Sequence, residues 1–498
     1  MYLTIANSPS NGIKDYYHRV VSNEGDDDDD EGNKYRPLLR QILITSPAWM
    51  LLFATGFSFG APTVFIPQIR KEKNSTEAIS DEMASWLSSV FGYSSLPWII
   101  VICYAITRLG RKIPFMFVSI NTFVFNVILY FSTSNTQMLI SEILQGMNHG
   151  ANLTLTIIIL SEYTSPKYRG VFLTIKSATF YWGVWCANAI GTFLHWKYIP
   201  LTAIVLILYN FVSFLWPESP HWLASEGRFE ECARSYFWLM GKNESTIKEL
   251  ERLVNSQKEC IKNRRTFDRH RIFEILTAKL FYKPTLVCIV MMLQYNFTGK
   301  IVCAMYAIDI IKRITGSEST AYYVMLLLDG VTVLGMYFGC FLTRVVKRRS
   351  LLMTSGTTSV IFLCILSLYL YLINLAFINE SRFVTIGLLV GFSLSVSIGP
   401  VILLISTHAE LTPLKYKSHC MAVAAILYNI VSGTLLKISP YIFLAFGMHG
   451  TFLFYGLTSG SCLLILYFCL PETKDKTLQE IENYFEGEEK KTCNSSLI

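Results

Sequence analysis

KPTLVCIVMMLQYNFTGKIVCAMYAID, residues 283–309, is long and apolar enough to cross a bilayer as a helix. Its middle is nevertheless polar, with Gln294, Tyr295, Asn296, Thr298, Gly299 and Lys300. An ammonium group inside a membrane-spanning helix is costly, so Lys300 is expected to face a partner or a water-filled cavity. Asn296 and Lys300 are four residues apart and would share one helix face. This face is predicted to line a solute pathway that the rest of the chain builds and gates.

The composition is that of a membrane protein. Hydrophobic residues make up 52% of the chain and charged residues 16%, with a mean hydropathy of +0.39, whereas a soluble domain carries about 25% charged residues. The net charge is +7, but the basic residues lie between apolar runs, so no nucleic-acid partner is expected. Most of the twelve cysteines lie within apolar runs without the spacing of a zinc site. No metal or cofactor is therefore expected.

Twelve apolar runs of membrane-spanning length follow one another along the chain, six before a long polar insert and six after it. Their approximate ranges are 44–68, 84–106, 113–132, 137–161, 171–194 and 198–216, then 283–308, 320–342, 351–374, 383–407, 419–444 and 450–470. Two equal groups favour an internally repeated transporter. The fold class is predicted to be all-α, with twelve transmembrane helices in two six-helix bundles.

The polar segments complete the predicted domain organisation. Residues Asp26–Asp30 begin an acidic run with too little apolar surface to fold, and no secretory signal precedes it. The insert contains segments with helical apolar spacing and charged opposite faces. The predicted units are a disordered acidic cytoplasmic tail (1–40), an N-terminal six-helix bundle (41–216), a cytoplasmic helical linker (217–282), a C-terminal six-helix bundle (283–470) and a cytoplasmic tail (471–498).

Lysine and arginine are concentrated in one set of loops, which includes the polar insert, and these loops are therefore predicted to be cytoplasmic. An even number of spans then places both termini in the cytoplasm. The chain is expected to be a multi-pass protein of the lipid bilayer, in the plasma membrane, and a monomer. Asn74 and Asn379 begin glycosylation sequons in loops on the opposite side.

Six short motifs lie at the ends of these spans. They are TRLGRK (107–112), SEYTSPKYRG (161–170), PESPHWL (217–223), TRVVKRR (343–349), GP (399–400) followed by ELTPLKYKS (410–418), and PETKDKTLQEIE (471–482). Together they resemble the sugar porter family of the major facilitator superfamily, which contains facilitative glucose and insect trehalose transporters. The resemblance extends from about residue 44 to 482. It implies a sugar-transporter-like carrier that moves a small solute by alternating access.

The resemblance also implies an inner gate. In the family, charged groups of these motifs pair across the two halves and close the cytoplasmic side. The corresponding residues here are Arg108, Arg111, Glu162, Arg169, Glu218, Arg344, Glu410 and Glu472. Tyr306 matches an outer-gate tyrosine of the seventh span. Alternatively, these charges only anchor helix ends at the membrane surface.

Several positions depart from the family pattern and predict a weaker gate. Thr107 and Thr343 stand where the family has acids, and His221 replaces an arginine with a titratable side chain. Val346 takes the place of a glycine, and Lys417 that of an arginine.

The substrate site that the resemblance implies is also altered. Ser177 stands where the family has a glutamine in the fifth span, and Leu403 where it has a tryptophan in the tenth. The predicted substrate-binding residues are Ser177, Gln294, Tyr295, Asn296, Lys300 and Asn429. Each missing hydroxyl partner costs roughly 1–3 kcal/mol, so hexose binding through the family's usual contacts is not expected. Tyr181, Trp182 and Trp185 either line the cavity or pack within the membrane.

Three other ionisable groups lie at membrane depth, namely Glu142, Lys176 and Asp329. Glu142 occupies a position where the family has an arginine, while Lys300 is a gained cation. We hypothesise that Glu142 and Lys300 face each other across the outer cavity as a gate or an anion site. Alternatively, Lys300 pairs with Asp329 or extends towards the membrane surface.

These observations favour a solute carrier and not an enzyme, because the chain has no catalytic constellation and no phosphate-binding loop of an ATP-driven pump. Three functions stay open. The first is a carrier of a sugar or polyol with a rebuilt site. The second is a carrier of another small solute, a class that includes anions, with Lys300 as the anchor. The third is a non-transporting sensor or orphan with the same fold.

Overall fold

The structure is a computed structural model that describes residues 35–72, 79–262, 279–412, 417–474, 476 and 484–485. Within these ranges every long regular element is a helix, and no strand occurs. Most of the predicted acidic tail and most of the predicted C-terminal tail therefore lie outside the described residues.

The described part of the N-terminal half contains seven α-helices. They are α1 (Arg36–Glu72), α2 (Asp81–Leu109), α3 (Lys112–Phe131), α4 (Asn135–Leu153), α5 (Leu155–Glu162), α6 (Pro166–Phe193) and α7 (Tyr198–Leu208), which a 3₁₀ segment continues over Tyr209–Leu215. Helices α1 and α6 lie in close contact, because Gly56 and Gly183 leave no side chain between them. A Cβ at Gly56 would lie 1.9 Å from the Phe180 carbonyl oxygen. This close packing holds α6, which carries several cavity residues, against α1.

Three helices lie in the described part of the insert between the halves. They are α8 (Pro220–Ser225), α9 (Phe229–Met240) and α10 (Glu244–Lys262). Their apolar faces form a cluster around Trp222, Tyr236 and Leu250. The cluster is joined to the N-terminal half, since Arg40 Nη1 donates a hydrogen bond to the Trp238 carbonyl oxygen at 2.7 Å. The end of the bundle that carries α8–α10 is called the insert end below, and the opposite end is called the far end.

The C-terminal half contains the remaining helices. They are α11 (Lys279–Phe297), α12 (Lys300–Met305), α13 (Ala307–Thr315), α14 (Glu318–Val345), α15 (Arg348–Asn374), α16 (Arg382–Ile398), α17 (Pro400–Leu411) and α18 (Lys417–Cys469). Gly447 has φ +65 and ψ −179 inside α18, so this element consists of two helices that meet at a break.

The described helices account for twelve membrane crossings. Nine segments of the described chain are long and apolar enough to span a bilayer, and one of them, 422–469, contains the break at Gly447 and supplies two crossings. Helices α4 with α5, and α6, supply the other two. These two crossings are less apolar because they carry Glu142, His149 and Lys176 in their interiors. The predicted all-α, twelve-span fold is confirmed.

The seventh span is not one continuous helix. α11 ends at Phe297 and α12 begins at Lys300, with Gly299 between them in the left-handed conformation at φ +75. The expectation that Asn296 and Lys300 share one helix face is therefore wrong. The break turns the two side chains towards different neighbours, because the helical phase is lost across Thr298 and Gly299.

The two halves contact each other through the far-end parts of their helices. Hydrogen bonds between the halves include Thr63 Oγ1 to the Met305 carbonyl oxygen (3.1 Å), Lys437 Nζ to Ser85 Oγ (2.8 Å), Trp185 Nε1 to the Leu326 carbonyl oxygen (3.1 Å) and Asn188 Nδ2 to Asp329 Oδ2 (2.7 Å). An ion pair joins Lys71 and Glu318 at the same end. These contacts close the far end over the middle of the bundle.

Candidate functional site

A central cavity lies between the two halves, on the insert-end side of these contacts. It measures about 1210 Å³, including the part that is continuous with solvent. Helices α1, α2, α4, α5 and α6 line it from the N-terminal half, and α11, α12, α17 and α18 from the C-terminal half. A site built from both halves is the arrangement that a carrier needs, because a solute held there contacts both bodies that must move.

Most of the wall is apolar or aromatic, as in other small-molecule sites. Phe59, Phe91 and Phe180 surround His149, whose ring stacks on Phe91 with a centroid distance of 4.3 Å. His149 is buried, and its Nε2 has no hydrogen-bond partner within the described part of the chain. The aromatic wall thus encloses one polar ring atom that a bound solute could contact.

Three tyrosines of the cavity wall lie where the two halves meet. The hydroxyl oxygens of Tyr181 and Tyr295 lie 2.7 Å apart and join the two halves by a hydrogen bond. Tyr428 stacks against Tyr295 with a centroid distance of 6.3 Å and an interplanar angle of 15°. Of the aromatic residues left open from the sequence, Tyr181 therefore lines the cavity. Trp185 instead bonds to α14 by its indole N–H.

Lys300 lines the cavity but has its own partners. Its Nζ donates to Thr332 Oγ1 at 2.6 Å and to Ser393 Oγ at 2.7 Å, and these two hydroxyls lie 3.0 Å apart. No ion pair joins Lys300 and Asp329 among the described residues, and Asp329 accepts its short hydrogen bond from Asn188. Lys300 therefore ties α12 to α14 and α16.

Glu142 does not pair with Lys300. It is buried in α4 and is not among the described residues that line the cavity. Gln145, with its amide oriented to satisfy both neighbours, donates to Glu142 Oε2 at 2.6 Å and accepts from the Phe59 backbone N–H at 3.2 Å. The hypothesis of a facing Glu142–Lys300 pair is wrong, because the break at Gly299 directs Lys300 towards α14 and α16.

The remaining predicted substrate-binding residues divide into two groups. Ser177, Tyr295 and Asn429 line the cavity. Gln294 and Asn296 are buried outside the described lining, where Gln294 Nε2 donates to Ser459 Oγ at 3.4 Å and Asn296 Nδ2 donates to the Met292 carbonyl oxygen at 2.9 Å. Only part of the polar patch in the seventh span therefore reaches the cavity.

Polar cavity residues that were not predicted from the sequence include His149, Asn152 and His408. Each has a buried side-chain atom without a hydrogen-bond partner among the described residues, namely Nε2 of both histidines and Oδ1 of Asn152. A signal was present, because ionisable residues inside spans tend to be functional. His149 lies seven residues after Glu142 and therefore shares its helix face.

The insert end of the N-terminal half holds a charge cluster. Arg111 makes a two-point ion pair with Glu162, with Nε–Oε2 and Nη2–Oε1 distances of 2.8 and 2.7 Å. Glu218 accepts hydrogen bonds from the backbone N–H groups of Arg111 (2.8 Å) and Lys112 (3.3 Å), at the start of α3. A carboxylate at a helix N-terminus satisfies free donors and complements the helix dipole.

The C-terminal half repeats this cluster. Arg348 forms an ion pair with Glu410. Glu472 accepts from the backbone N–H groups of Arg348 (3.0 Å) and Arg349 (3.1 Å), at the start of α15. The two clusters reflect the internal repeat. In each half, the glutamate that follows the sixth span accepts hydrogen bonds from the backbone at the start of a helix.

These ion pairs correct one expectation from the family resemblance. Both pairs lie within one half and not across the two halves. Arg108 and Arg344 are exposed, and the Arg108 guanidinium lies over the Tyr104 ring at 6.0 Å. The backbone of Arg169 lies in α6, but its side chain is outside the described residues. The pairs within halves follow from geometry, since each glutamate lies beside the basic loop of its own bundle.

The predicted outer residues lie at the far end. Tyr306 donates from its hydroxyl to the Leu436 carbonyl oxygen at 2.9 Å and packs edge-on against Phe443. Asn379 is exposed between α15 and α16. Asn74 falls outside the described residues.

Comparison with known proteins gives consistent results. The family "Sugar (and other) transporter" matches residues 44–485. Facilitated trehalose transporters Tret1 from Apis mellifera ligustica and Polypedilum vanderplanki are 23% and 25% identical over 456 and 468 residues. Each match covers 91% of this chain, with 89% and 90% of the respective relatives.

Solved structures resemble the fold. The proton:xylose symporter XylE bound to 6-bromo-6-deoxy-D-glucose aligns with a TM-score of 0.72 at 16% identity, covering 90% of this chain and 99% of that one. An inward-open conformation of the xylose transporter XylE from E. coli aligns with a TM-score of 0.70 at 15% identity, covering 89% and 99%. At these identities the similarity establishes the major facilitator fold.

Proposed function

The chain belongs to the family of sugar (and other) transporters, and from this membership we propose that its central cavity carries a small sugar by alternating access. The protein is a multi-pass membrane carrier and not an enzyme. One observation carries the proposal: the cavity is walled by both halves, and the halves are joined by side-chain contacts at the far end. Exchanging such contacts for others would expose the same cavity to the opposite side.

The solute in this proposal is a small polyhydroxylated molecule. Ser177, Tyr295, Asn429 and Ser432 present hydroxyl and amide groups to the cavity, and such groups both donate and accept hydrogen bonds. The relatives are named for trehalose and the solved structures for xylose. These two sugars are the first candidates. In this proposal Gln294 and Asn296 do not contact the solute, but hold in place the residues that line the cavity.

In this proposal the gating residues keep each half rigid while the two halves move relative to each other. The pairs Arg111–Glu162 and Arg348–Glu410 brace the insert ends of the two halves, and Tyr306 braces the far end. Because both partners of each pair belong to one half, the pairs are kept while the halves move, so the energy difference between conformations comes from the contacts across the halves.

Uptake into proteoliposomes tests the function directly. Proteoliposomes that contain the purified protein should take up radiolabelled trehalose, xylose or glucose faster than liposomes without protein. An excess of the unlabelled sugar should reduce this rate. Replacing Asn429 with Ala should lower uptake about 5- to 100-fold, since one hydrogen bond in a buried site is worth about 1–3 kcal/mol. Binding without uptake of any sugar would instead favour a sensor, and neither binding nor uptake would reject the proposal.

We also propose the orientation and the location. The insert end faces the cytoplasm, because the basic loops lie there, and both termini are cytoplasmic. The protein acts as a monomer in the lipid bilayer of the plasma membrane. Asn379 then faces outward and is glycosylated in a eukaryotic cell. Digestion with an N-glycosidase should increase gel mobility, and Asn379→Gln should remove this shift if Asn74 is also replaced. An unchanged mobility of the wild-type protein after digestion would contradict this part.

A further inference from the structure

A buried lysine without a counter-charge lines the central cavity. Lys176 on α6 is only 3% exposed. Within the described part of the chain it makes no hydrogen bond and no ion pair. A buried ammonium without a partner is costly, and such groups in membrane proteins normally pair or face a ligand. Lys300 differs, because Thr332 and Ser393 already accept from it.

The nearby acids do not supply the missing charge. Glu142 is bonded to Gln145, and Asp329 is bonded to Asn188. The described lining of the cavity contains no aspartate or glutamate, but it contains two lysines and two histidines. The cavity is therefore a site whose positive groups exceed its negative ones.

Unpartnered polar atoms are contributed by both halves. His149 on α4 and His408 on α17 line the same cavity, and Nε2 of each is buried without a partner among the described residues. An imidazole N–H can donate to an anionic oxygen, and an ammonium can donate up to three hydrogen bonds. These three side chains are the donors that an anionic group would use.

We propose that the transported solute is an anionic sugar, meaning a sugar that bears a carboxylate or a phosphate, and that Lys176 binds its anionic group with His149 and His408. This inference rests on the proposed function of a sugar carrier and narrows its substrate class. The aromatic wall of Phe59, Phe91 and Phe180 packs against the sugar ring. A bound anion supplies the counter-charge that Lys176 lacks.

The test compares sugars that differ only at carbon 6. Purified full-length protein is titrated in a calorimeter with D-glucose, D-glucuronate and D-glucose 6-phosphate at neutral pH. At least one anionic sugar should bind about 10- to 100-fold more tightly than glucose, the range for a hydrogen bond to a charged group. The carboxylate and phosphate arms show which anionic group the site accepts.

Variants of Lys176 then test the residue. Lys176→Gln should abolish the preference for the anionic sugar, and Lys176→Arg should retain most of it. Lys347→Gln makes the same charge change on an exposed lysine and should leave the preference unaltered. Lys176→Met is the second neutral variant if Lys176→Gln does not fold. The preference is the ratio of the affinities for the anionic sugar and for glucose in the same variant. A smaller fraction of folded protein affects both affinities equally and does not change this ratio.

Each outcome decides the inference. Equal or weaker binding of both anionic sugars by the wild-type protein overturns it, as does a preference that persists in Lys176→Gln. Glucose binding without any anionic preference leaves the sugar carrier in place and rejects only the anionic substrate. Absence of binding for all three sugars, together with absent uptake of trehalose and xylose, rejects both proposals.

Discussion

Two lysines in the membrane interior show how the partners of a residue, and not its type, decide its role. Lys300 belongs to a network in which Thr332 and Ser393 accept from its ammonium, while Thr332 also donates to the Leu328 carbonyl oxygen at 2.7 Å. Such a network holds each member in place. Lys176 has no such network and faces the cavity. The first lysine is therefore a structural tie between helices, and the second is available to a solute.

A double-mutant cycle tests this assignment of Lys300. Glu142→Gln and Lys300→Gln should change the free energy of unfolding additively, to within about 0.5 kcal/mol, because the two side chains share no partner. Unfolding by SDS in mixed micelles measures both changes. A coupling energy above about 1 kcal/mol would contradict this assignment and support a direct contact between Glu142 and Lys300. Lys300→Gln combined with Thr332→Val is the positive control and should be non-additive, since these two side chains are in contact.

At the scale of the element, three spans are interrupted near the cavity. The breaks fall at Thr154 between α4 and α5, at Gly299 between α11 and α12, and at Gly399 between α16 and α17. Irregular backbone is tolerated at membrane depth where it is enclosed by protein or lines a cavity. Breaks in corresponding places of both halves are typical of transporter sites. The interruption at Gly299 has the clearest physical cause, because its φ of +75 excludes most side chains.

Replacing Gly299 with alanine should destabilise the protein. A Cβ there would lie 2.8 Å from the Tyr455 ring, and the left-handed conformation itself costs about 1–3 kcal/mol for a residue with a side chain. Gly387→Ala is the matched control, since a Cβ at that helical position meets nothing within 4 Å. Thermal unfolding should show a lower midpoint for the first variant and an equal or slightly higher one for the second. Equal midpoints for both variants would show that the break is not required.

At the scale of the whole molecule, the two ends of the bundle are held by different kinds of contact. The far end is fastened across the halves by bonds such as Asn188 to Asp329, whereas the insert end is fastened within each half by Arg111–Glu162 and its counterpart Arg348–Glu410. Bonds across the halves favour one conformation over another, while bonds within a half are kept in every conformation. Switching is therefore expected to depend mainly on the far-end contacts.

Removing the Asn188 side chain should open the far end. Asn188→Ala leaves Asp329 without its donor, which disfavours the closed far end by about 1–3 kcal/mol and shifts the conformational ratio about 5- to 100-fold. Spin labels at Glu82 and Glu380, in a background with its accessible cysteines replaced, would report longer distances.

The control for this experiment is an asparagine whose bond stays within one half. Asn210→Ala removes a buried amide that donates to Ser119 Oγ at 3.3 Å. It should lower stability without changing the distance between the labels. A distance distribution that is the same in Asn188→Ala and the wild-type protein would show that this bond does not control the opening.

The sequence by itself determined the fold, because apolar length and the placement of basic residues depend only on the local chain. Twelve runs, an insert with helical spacing and six motifs at span ends were enough to predict two six-helix halves and membership of a transporter family. The carboxylates of Glu218 and Glu472 were also recognised, although their role at helix starts was not. Ser177, Tyr295, Lys300 and Asn429 were predicted at the site and do line the cavity.

Only the tertiary structure decided which polar residues have partners. The turn at Gly299 sends Lys300 towards Thr332 and Ser393, and it separates Asn296 from the cavity face. The same packing leaves Lys176 without a counter-charge in a cavity that His149 and His408 also line. Hydropathy and spacing describe one helix at a time, whereas a hydrogen bond or an ion pair depends on how several helices meet. The identity of the unpaired cation is therefore a property of the assembled bundle.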